Sequence, residues 1–283
     1  MEVVTNEKRK DYEVMTKRFG FSAMHTAKRQ GFTLAEVLIT LGIIGVVAAM
    51  TIPTLISNTN GAKFRSQFKK TLSTLNQAGL MSQAQYDFDY AGTTQKCGEA
   101  GATKENKDGK ETTKAGDPSV EHPDSAMSFC AILNGTLTGQ TYQGAVTNIK
   151  RNNNGAEATY ELKTKNVLPD TYTTYLSYSL ADGAIVAFNP DALGCELAAG
   201  ARMNGAWITA HPQCVGFIDV NGATLPNREV SCTTAADTAN TVETPCAVKN
   251  DANHMTDVFP IVFHDATVEP ASNAAKYVLT TSK

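Results

Sequence analysis

The chain has 283 residues, enough for one ordinary domain with accessory segments or at most two domains. Charged residues make up 19% and the formal net charge is -3, so composition gives no reason to expect nucleic acid or an acidic substrate as partner. Residues 1–31 hold seven Lys or Arg and four Asp or Glu, whereas the remainder holds 18 basic and 24 acidic residues. A basic leader therefore precedes an acidic body.

Residues 32–56 form a 25-residue apolar run that contains a single charged residue, Glu36. A helix of this length extends about 38 Å, which is enough to cross the hydrocarbon core of a bilayer with some tilt. The run is also longer than the roughly 7 to 15 apolar residues of most secretory signals. We therefore predict a membrane-spanning helix over this range.

A cleaved signal peptide is the main alternative for the same run. Val47, Ala48 and Ala49 offer small residues at which a signal peptidase could cut, and the chain would then be released after export. Glu36 argues against this, because a carboxylate near the centre of an inserted helix costs about 2.5 to 3.5 kcal/mol. Its position near the start of the run reduces that cost.

The residues that lead into the run are KRQGFTLAE at positions 28–36. They resemble the processing site of type IV prepilins and type II secretion pseudopilins, and the resemblance extends over about residues 28–56. In that family a prepilin peptidase cuts after the glycine, and the new N-terminal phenylalanine is methylated. The resemblance implies cleavage after Gly31, methylation of Phe32 and retention of Glu36 within the apolar helix.

The leader, residues 1–31, departs from the family because it is longer than is usual for pilins. It contains additional basic pairs at Arg9-Lys10 and Lys17-Arg18. Translation from Met15 or Met24 is therefore an alternative start. In either case we expect a cytoplasmic leader that the peptidase removes.

The chemistry of Glu36 can also be argued from the residues themselves. Cleavage after Gly31 would create a free amine at Phe32, close to the Glu36 carboxylate. If the two charges paired, within one subunit or across to a neighbour, they would offset the cost of burying either and fix the axial register of packed helices. The alternative is an interfacial glutamate whose side chain reaches the lipid headgroups.

Three further residues of the run bear on helix packing. Gly45 and Ala49 lie four residues apart on one helix face, where small side chains would let another helix approach, although both residue types are common in membrane helices. Pro53 stands where the pilin family commonly has a helix-kinking proline. Basic residues flank the run equally, so the resemblance and the cysteines place the leader in the cytoplasm and the rest of the chain outside.

Residues 57–90 are predicted to continue the helix as an amphipathic segment. Apolar residues recur at spacings of four, four and three and form a stripe that should pack on a sheet: Phe64, Phe68, Leu72 and Leu75. Gly61 and Gly79 weigh against an unbroken helix, because glycine disfavours helix interiors.

Residues 91–283 are expected to form the exported domain. Residues 91–125 contain almost no large apolar side chain and predict a long polar surface loop. The alternating pattern of residues 172–180, followed by Asp182-Gly183 and residues 184–188, predicts a hairpin. Other strand candidates are residues 206–210, 215–220, 258–264 and 276–280. A long helix followed by antiparallel strands predicts an α+β roll, with the helix packed on a C-terminal sheet as in pilins.

All six cysteines lie downstream of the apolar run, and none forms a C-x-x-C pair: Cys97, Cys130, Cys195, Cys214, Cys232 and Cys246. This pattern favours disulfides in an exported domain over a zinc or redox site. The alternative is a set of reduced cysteines in a cytosolic core. Among the connectivities that six cysteines allow, we favour consecutive pairing.

One region offers oxygen ligands for a metal. The segments 219–222 and 257–259 resemble the C-terminal region of some pseudopilins in which a loop binds calcium. Asp219, Asn221 and Asp257 could bind a hard cation, although the closing glutamate of an EF-hand is missing. An Asx-Gly turn explains residues 219–222 equally well. Calcium is the only cofactor for which the sequence gives a reason.

The sequence gives no catalytic motif. Its histidines are scattered, no H-E-x-x-H, G-x-S-x-G or phosphate-binding glycine loop occurs, and a metal held by His254, Asp257 and His264 would require the chain to turn back on itself. We therefore predict no enzyme and no catalytic residue. Two alternatives remain, an exported binding protein released by signal peptidase and a membrane-anchored exported enzyme.

The sequence as a whole predicts a structural or minor subunit of a type IV pilus or of a type II secretion or competence pseudopilus. It would be a single-pass protein of the bacterial inner membrane with an exported C-terminal domain. The expected partners are other pilin-like subunits, the prepilin peptidase and methyltransferase, the assembly platform and the membrane, with no nucleic acid.

Overall fold

The structure is a computed structural model, and it describes residues 31–98, 127–148, 150–153, 156–160, 167–168, 175–233 and 246–281. The chain divides into two units, one that ends at Thr51 and one that begins at Ile52. The leader and most of the predicted polar loop lie outside the described residues. Residues 91–98, at the start of that loop, contain no helix or strand.

The first element is a helix of 53 residues, α1, which spans Leu34–Tyr86 and contributes to both units. In the second unit its apolar stripe is buried. The helix also runs through Gly61 and Gly79. A Cβ atom at Gly79 would lie 2.6 Å from the carbonyl oxygen of Ala266, so glycine is needed there for close approach of another segment.

Within the described residues, α1 is followed by three short α-helices, eight strands and two 3-10 helices, Val146–Asn148 and Pro212–Cys214. The helices are α2 (Phe129–Thr136), α3 (Gly205–Ala210) and α4 (Asn273–Thr280). The strands are β1 (Thr141–Ala145), β2 (Lys150–Asn153), β3 (Ala156–Thr159), β4 (Leu176–Ser179), β5 (Ile185–Phe188), β6 (Val215–Asp219), β7 (Val258–His264) and β8 (Thr267–Pro270). Strands β2 and β3 form a separate two-stranded sheet.

The main sheet has six antiparallel strands in the order β1-β4-β5-β6-β7-β8. Its β4–β5 hairpin turns at Asp182-Gly183, where Gly183 has a φ of 86°. The long N-terminal helix and this C-terminal sheet confirm the predicted α+β class and are consistent with a pilin-like fold.

Two of the predicted strands are wrong. Residues 206–210 lie in α3 and residues 276–280 lie in α4. In each case a side chain caps the helix N-terminus: Asn204 Oδ1 accepts from the Trp207 amide at 2.9 Å, and Ser272 Oγ accepts from the Ala275 amide at 3.1 Å. The two caps stabilise a helix in each segment.

The core lies between the second half of α1 and the main sheet. Phe68 of α1 is fully buried and stacks on Phe259 of β7, with the ring centroids 4.3 Å apart. Phe263, farther along β7, packs edge to face against Tyr90 and Phe129 at 5.0 and 5.1 Å. The stripe of α1 therefore holds the helix on the central strands.

Three disulfides lie around this core. They join Cys97 to Cys130, Cys195 to Cys214 and Cys232 to Cys246, which is consecutive pairing. The first disulfide joins the segment after α1 to α2. The second joins the segment after β5 to the residue that precedes β6, and it closes a loop that contains α3. The disulfides therefore restrain parts of the chain that the hydrogen bonds between strands of the main sheet do not restrain.

The stacked pair Phe68–Phe259 gives a test of this packing. Phe68→Ala removes a buried ring from the helix–sheet contact, so we expect the free energy of unfolding to fall by about 3 to 5 kcal/mol. The measurement is urea unfolding of the detergent-solubilised chain, followed by circular dichroism. Ser66→Ala, at an exposed site on the same helix, should change the value by less than about 0.5 kcal/mol. Equal effects of the two substitutions would contradict this packing.

Candidate functional site

The first half of α1 is apolar and exposed. Among the described residues, α1 is the one helix long and apolar enough to cross a membrane, and none of its most apolar window is buried within the chain. Residues such as Leu38, Ile43 and Ile44 each expose about 60% of their surface. A surface of this kind requires lipid or other protein around it. Length and composition alone would also suit a signal sequence.

The helix begins in a reciprocal cap made by Thr33 and Glu36. The Glu36 carboxylate accepts hydrogen bonds from the amide and the hydroxyl of Thr33, each at 2.8 Å, and the Thr33 hydroxyl accepts from the Glu36 amide at 3.2 Å. This is a capping box, in which a threonine and a glutamate three residues later satisfy free amides of the first helical turn. The sequence analysis missed it, although the T-x-x-E spacing is a known signature.

The capping box fixes the carboxylate beside the predicted cleavage point. Gly31 and Phe32 precede the helix, and Phe32 exposes 88% of its surface. The amide that donates to Glu36 belongs to Thr33, which directly follows Phe32. The carboxylate is therefore held one residue away from the nitrogen that cleavage after Gly31 would free.

The other predicted assembly residues make no packing contact that competes with a partner helix. Gly45 and Ala49 are exposed in the first unit, and a Cβ added at Gly45 would meet nothing within 4 Å. Pro53 lies inside α1 at the start of the second unit and is also exposed.

The three predicted calcium ligands lie together at the end of β6. The side chains of Asp219 and Asp257 are fully buried, and the Asp257 carbonyl accepts from the Val220 amide at 3.0 Å. Asp219 accepts from the Tyr160 hydroxyl at 2.8 Å and from the Asn221 amide at 3.3 Å. Asp257 accepts from two backbone amides, those of Asn227 and Arg228, each at 2.9 Å.

Burial raises the pKa of both carboxyl groups. Burial and the Asp257 charge raise the pKa of Asp219 well above its ordinary value. Burial also raises the pKa of Asp257, although hydrogen bonds from the Arg228 and Asn227 amides partly offset this. The raised pKa values mean that ionisation of either carboxyl group is unfavourable in the folded protein.

Unpartnered amide oxygens accompany the two carboxylates. Asn227 is fully buried, and among the described residues neither its side-chain nitrogen nor its side-chain oxygen has a hydrogen-bond partner; the same is true of the Asn221 side-chain oxygen. Oxygen ligands of this kind suit a hard cation. Asn221 also lines a cleft of about 370 Å³ through which solvent reaches this end of the sheet. Within the described residues, however, no three His, Cys, Asp or Glu side chains are grouped to hold a metal.

The histidines do not converge on Asp257. His254 Nδ1 lies 2.8 Å from Asp251, and His264 Nδ1 lies 3.1 Å from Asp265. Each ring thus has a neighbouring carboxylate of its own. The His254, Asp257 and His264 metal set is not formed in the part of the chain that the structure describes.

The comparisons with known proteins bear on the N-terminal end. Residues 26–52 match the family model described as the prokaryotic N-terminal methylation motif. No curated protein and no solved structure matches the chain significantly. The matched range contains Gly31, Phe32, the capping box and most of the exposed apolar helix. The motif and the α+β fold together support a type IV pilin-like or pseudopilin-like protein.

Proposed function

We propose that this protein is a structural or minor subunit of a type IV pilus or of a type II secretion or competence pseudopilus. The observation that carries the proposal is the methylation motif at residues 26–52, which coincides with the start of an exposed apolar helix. The motif itself implies processing by a prepilin peptidase and assembly with other pilin subunits. It favours a structural role over catalysis.

The proposed sequence of events begins with the leader in the cytoplasm. The peptidase cuts after Gly31 and methylates Phe32, while residues 32–56 hold the subunit in the inner membrane and the exported domain, residues 91–283, folds outside. The apolar helix then leaves the lipid and packs in the filament core, where Gly45 and Ala49 allow close helix contact and Pro53 adjusts the helix path.

The central chemical step is a change of partner at Glu36. Before cleavage its carboxylate is satisfied by Thr33. Cleavage adds a cation at Phe32, and in the low-dielectric core of a filament each charge is stable only beside the other. The Glu36 carboxylate and a Phe32 ammonium can pair only in certain axial registers of the packed helices. The ion pair would therefore select those registers.

The mature N-terminus separates this proposal from its main alternative. We expect mass spectrometry of the membrane-extracted protein to find an N-terminal peptide that begins with a methylated Phe32. An N-terminus near Met50 would indicate a signal peptidase and contradict the proposal. A Gly31→Leu chain, in which the cleavage residue is lost, should retain its leader.

The capping box supplies a matched pair of substitutions at Glu36. Glutamine can replace glutamate in a capping box but carries no charge, whereas leucine removes both the cap and the charge. An unpaired buried charge costs about 3 to 5 kcal/mol, so we expect Glu36→Gln and Glu36→Leu each to lower filament yield by tenfold or more. Filaments sheared from cells and quantified by immunoblot give the measurement.

The two substitutions distinguish charge from capping. If Glu36→Gln subunits assembled as well as unaltered ones while Glu36→Leu subunits did not, capping would be the function of this residue and the charge-pairing step would be wrong. Membrane levels of both variants must equal those of the unaltered protein, since the comparison concerns assembly.

We also propose that Asp219, Asn221 and Asp257 bind calcium, with Asn227 as a further ligand. The support comes from two buried carboxylates and two unpartnered amide oxygens at one place. A calcium ion would compensate the negative charge of the carboxylates and join the end of β6 to the start of β7. This would stabilise the exported domain.

The raised pKa values set the expected pH dependence. The ordinary pKa of an aspartate side chain is 3.8, and both carboxyl groups have a higher pKa in the folded state. Each group therefore lowers the free energy of unfolding as the pH rises from 3.8 through its folded-state pKa. Without divalent cations, Asp219→Asn should therefore unfold at a higher temperature than the unaltered chain at pH 7. Asp87→Asn, at an exposed site where the carboxylate has no ion-pair partner among the described residues, should leave the unfolding temperature unchanged.

Added calcium should reverse the order of the two chains. At a concentration one hundred times the dissociation constant it should stabilise the unaltered chain by about 2.7 kcal/mol and leave Asp219→Asn unaffected. Differential scanning calorimetry in detergent gives both values. An equal response of the two chains to calcium, or no response of the unaltered chain, would contradict the site.

A further inference from the structure

Arg65, in the second half of α1, is a buried cation for which the described residues provide no counterion. Only 7% of its surface is exposed, and its Nε atom has no hydrogen-bond partner. Within the part of the chain that the structure describes, its guanidinium makes no ion pair. Neighbouring cations on the same helix differ: Lys69 Nζ donates to the Thr281 carbonyl at 3.1 Å, and Lys70 lies 3.0 Å from Asp182.

A buried guanidinium in this condition is energetically unfavourable. Removing an ion from water costs several kcal/mol unless an opposite charge and hydrogen bonds replace the lost hydration. The planar fork of N–H groups in an arginine guanidinium fits the two oxygens of a carboxylate. Arg65 could therefore bind an anionic group, and none of the residues that the structure describes supplies one as an ion-pair partner.

The distribution of charge indicates where such a group would come from. Residues 37–86 contain four basic residues and no Asp or Glu, whereas residues 87–283 contain 14 basic and 23 acidic residues, a balance of -9. The helix of one copy and the exported domain of another are thus oppositely charged. Asp87 and Glu196 are exposed, and within the described residues their carboxylates have no ion-pair partner.

A lipid phosphate fits the position of Arg65 less well. Arg65 follows Ile56, the last residue of the apolar run, by nine residues, which corresponds to about 13 to 14 Å of helix. The headgroup layer on one side of a bilayer is only about 5 to 8 Å thick. Even a long side chain that points back along the helix reaches only the edge of that layer.

We propose that Arg65 forms an ion pair with a carboxylate of a neighbouring copy of this chain in the assembled filament. The inference rests on the proposed filament function, and it adds a polar contact to the packing of the apolar helices. Because only 7% of the Arg65 surface is exposed in the free subunit, pairing with the neighbour's carboxylate would remove little further hydration from the arginine. Assembly therefore relieves an unfavourable feature of the subunit.

This arrangement predicts opposite effects of one substitution on folding and on assembly. Arg65→Met keeps the apolar stem and removes the unpaired charge, so it should raise the unfolding temperature of the detergent-solubilised subunit by about 2 to 4 °C. The same change should lower filament yield about tenfold. Arg65→Lys, which keeps the charge and loses the planar fork, should give an intermediate yield.

Lys69→Met serves as the matched control, because Lys69 lies one turn away and already has a partner within its own subunit. It should lower or leave unchanged the unfolding temperature and reduce filament yield less than Arg65→Met does. Unaltered filaments should also lose mass as salt is raised, and Arg65→Met filaments should lose that dependence.

The outcomes separate the alternatives. A fall in both subunit stability and filament yield for Arg65→Met would mean that Arg65 acts within its own subunit, and would overturn the inference. A stabilised subunit with normal filament yield would also overturn it; binding of the unaltered chain, but not of Arg65→Met, to phosphatidylglycerol vesicles would then identify a lipid anion. If the unaltered chain formed no filaments, the proposed function itself would fail.

Discussion

The structure depends on a single carboxylate at the head of an apolar helix. Glu36 is the only acidic residue between Phe32 and Tyr86, and it lies where a helix entering a bilayer would have to bury it. The chain satisfies this charge locally, since the amide and hydroxyl of Thr33 both donate to it. In the proposed precursor a charge held in this way would stay satisfied within the membrane, and it would become available once cleavage created a cation beside it.

The two parts of α1 share one secondary structure but differ in what surrounds their apolar side chains. The first unit exposes almost every apolar side chain, so its stability requires lipid or other helices. The second unit buries one stripe against β7 and leaves the opposite face polar, as a soluble domain requires. In the proposed filament the first part provides association and the second carries the exported domain. Arg65 belongs to the folded part but, on our inference, is completed only by association.

The sequence was sufficient for those features that a local pattern determines. The apolar run, the stripe at Phe64 to Leu75 and the Asp182-Gly183 hairpin each follow from periodicity or turn chemistry, and the structure has each of them. The resemblance at residues 28–56 agrees with the methylation motif at residues 26–52. The T-x-x-E cap was also visible in the sequence and was overlooked.

Other features depend on contacts between distant residues and could not be derived from the sequence. Nothing near Arg65 in sequence shows that it is buried and that the described residues offer it no counterion. The side-chain oxygens of Asn221 and Asn227 are unpartnered only because the turn after β6 folds against Asp257. Helices α3 and α4 occupy segments with strand-like composition because Asn204 and Ser272 cap them.

The central claim is that the Glu36 carboxylate exchanges Thr33 for the Phe32 amine when subunits assemble. The most direct measurement is a cryo-electron microscopy map of assembled filaments that resolves the helix N-termini. The account predicts a Phe32 nitrogen about 2.7 to 3 Å from a Glu36 carboxylate, in the same subunit or a neighbour. A map in which every Glu36 side chain contacts only its own Thr33, with the amine elsewhere, would contradict it.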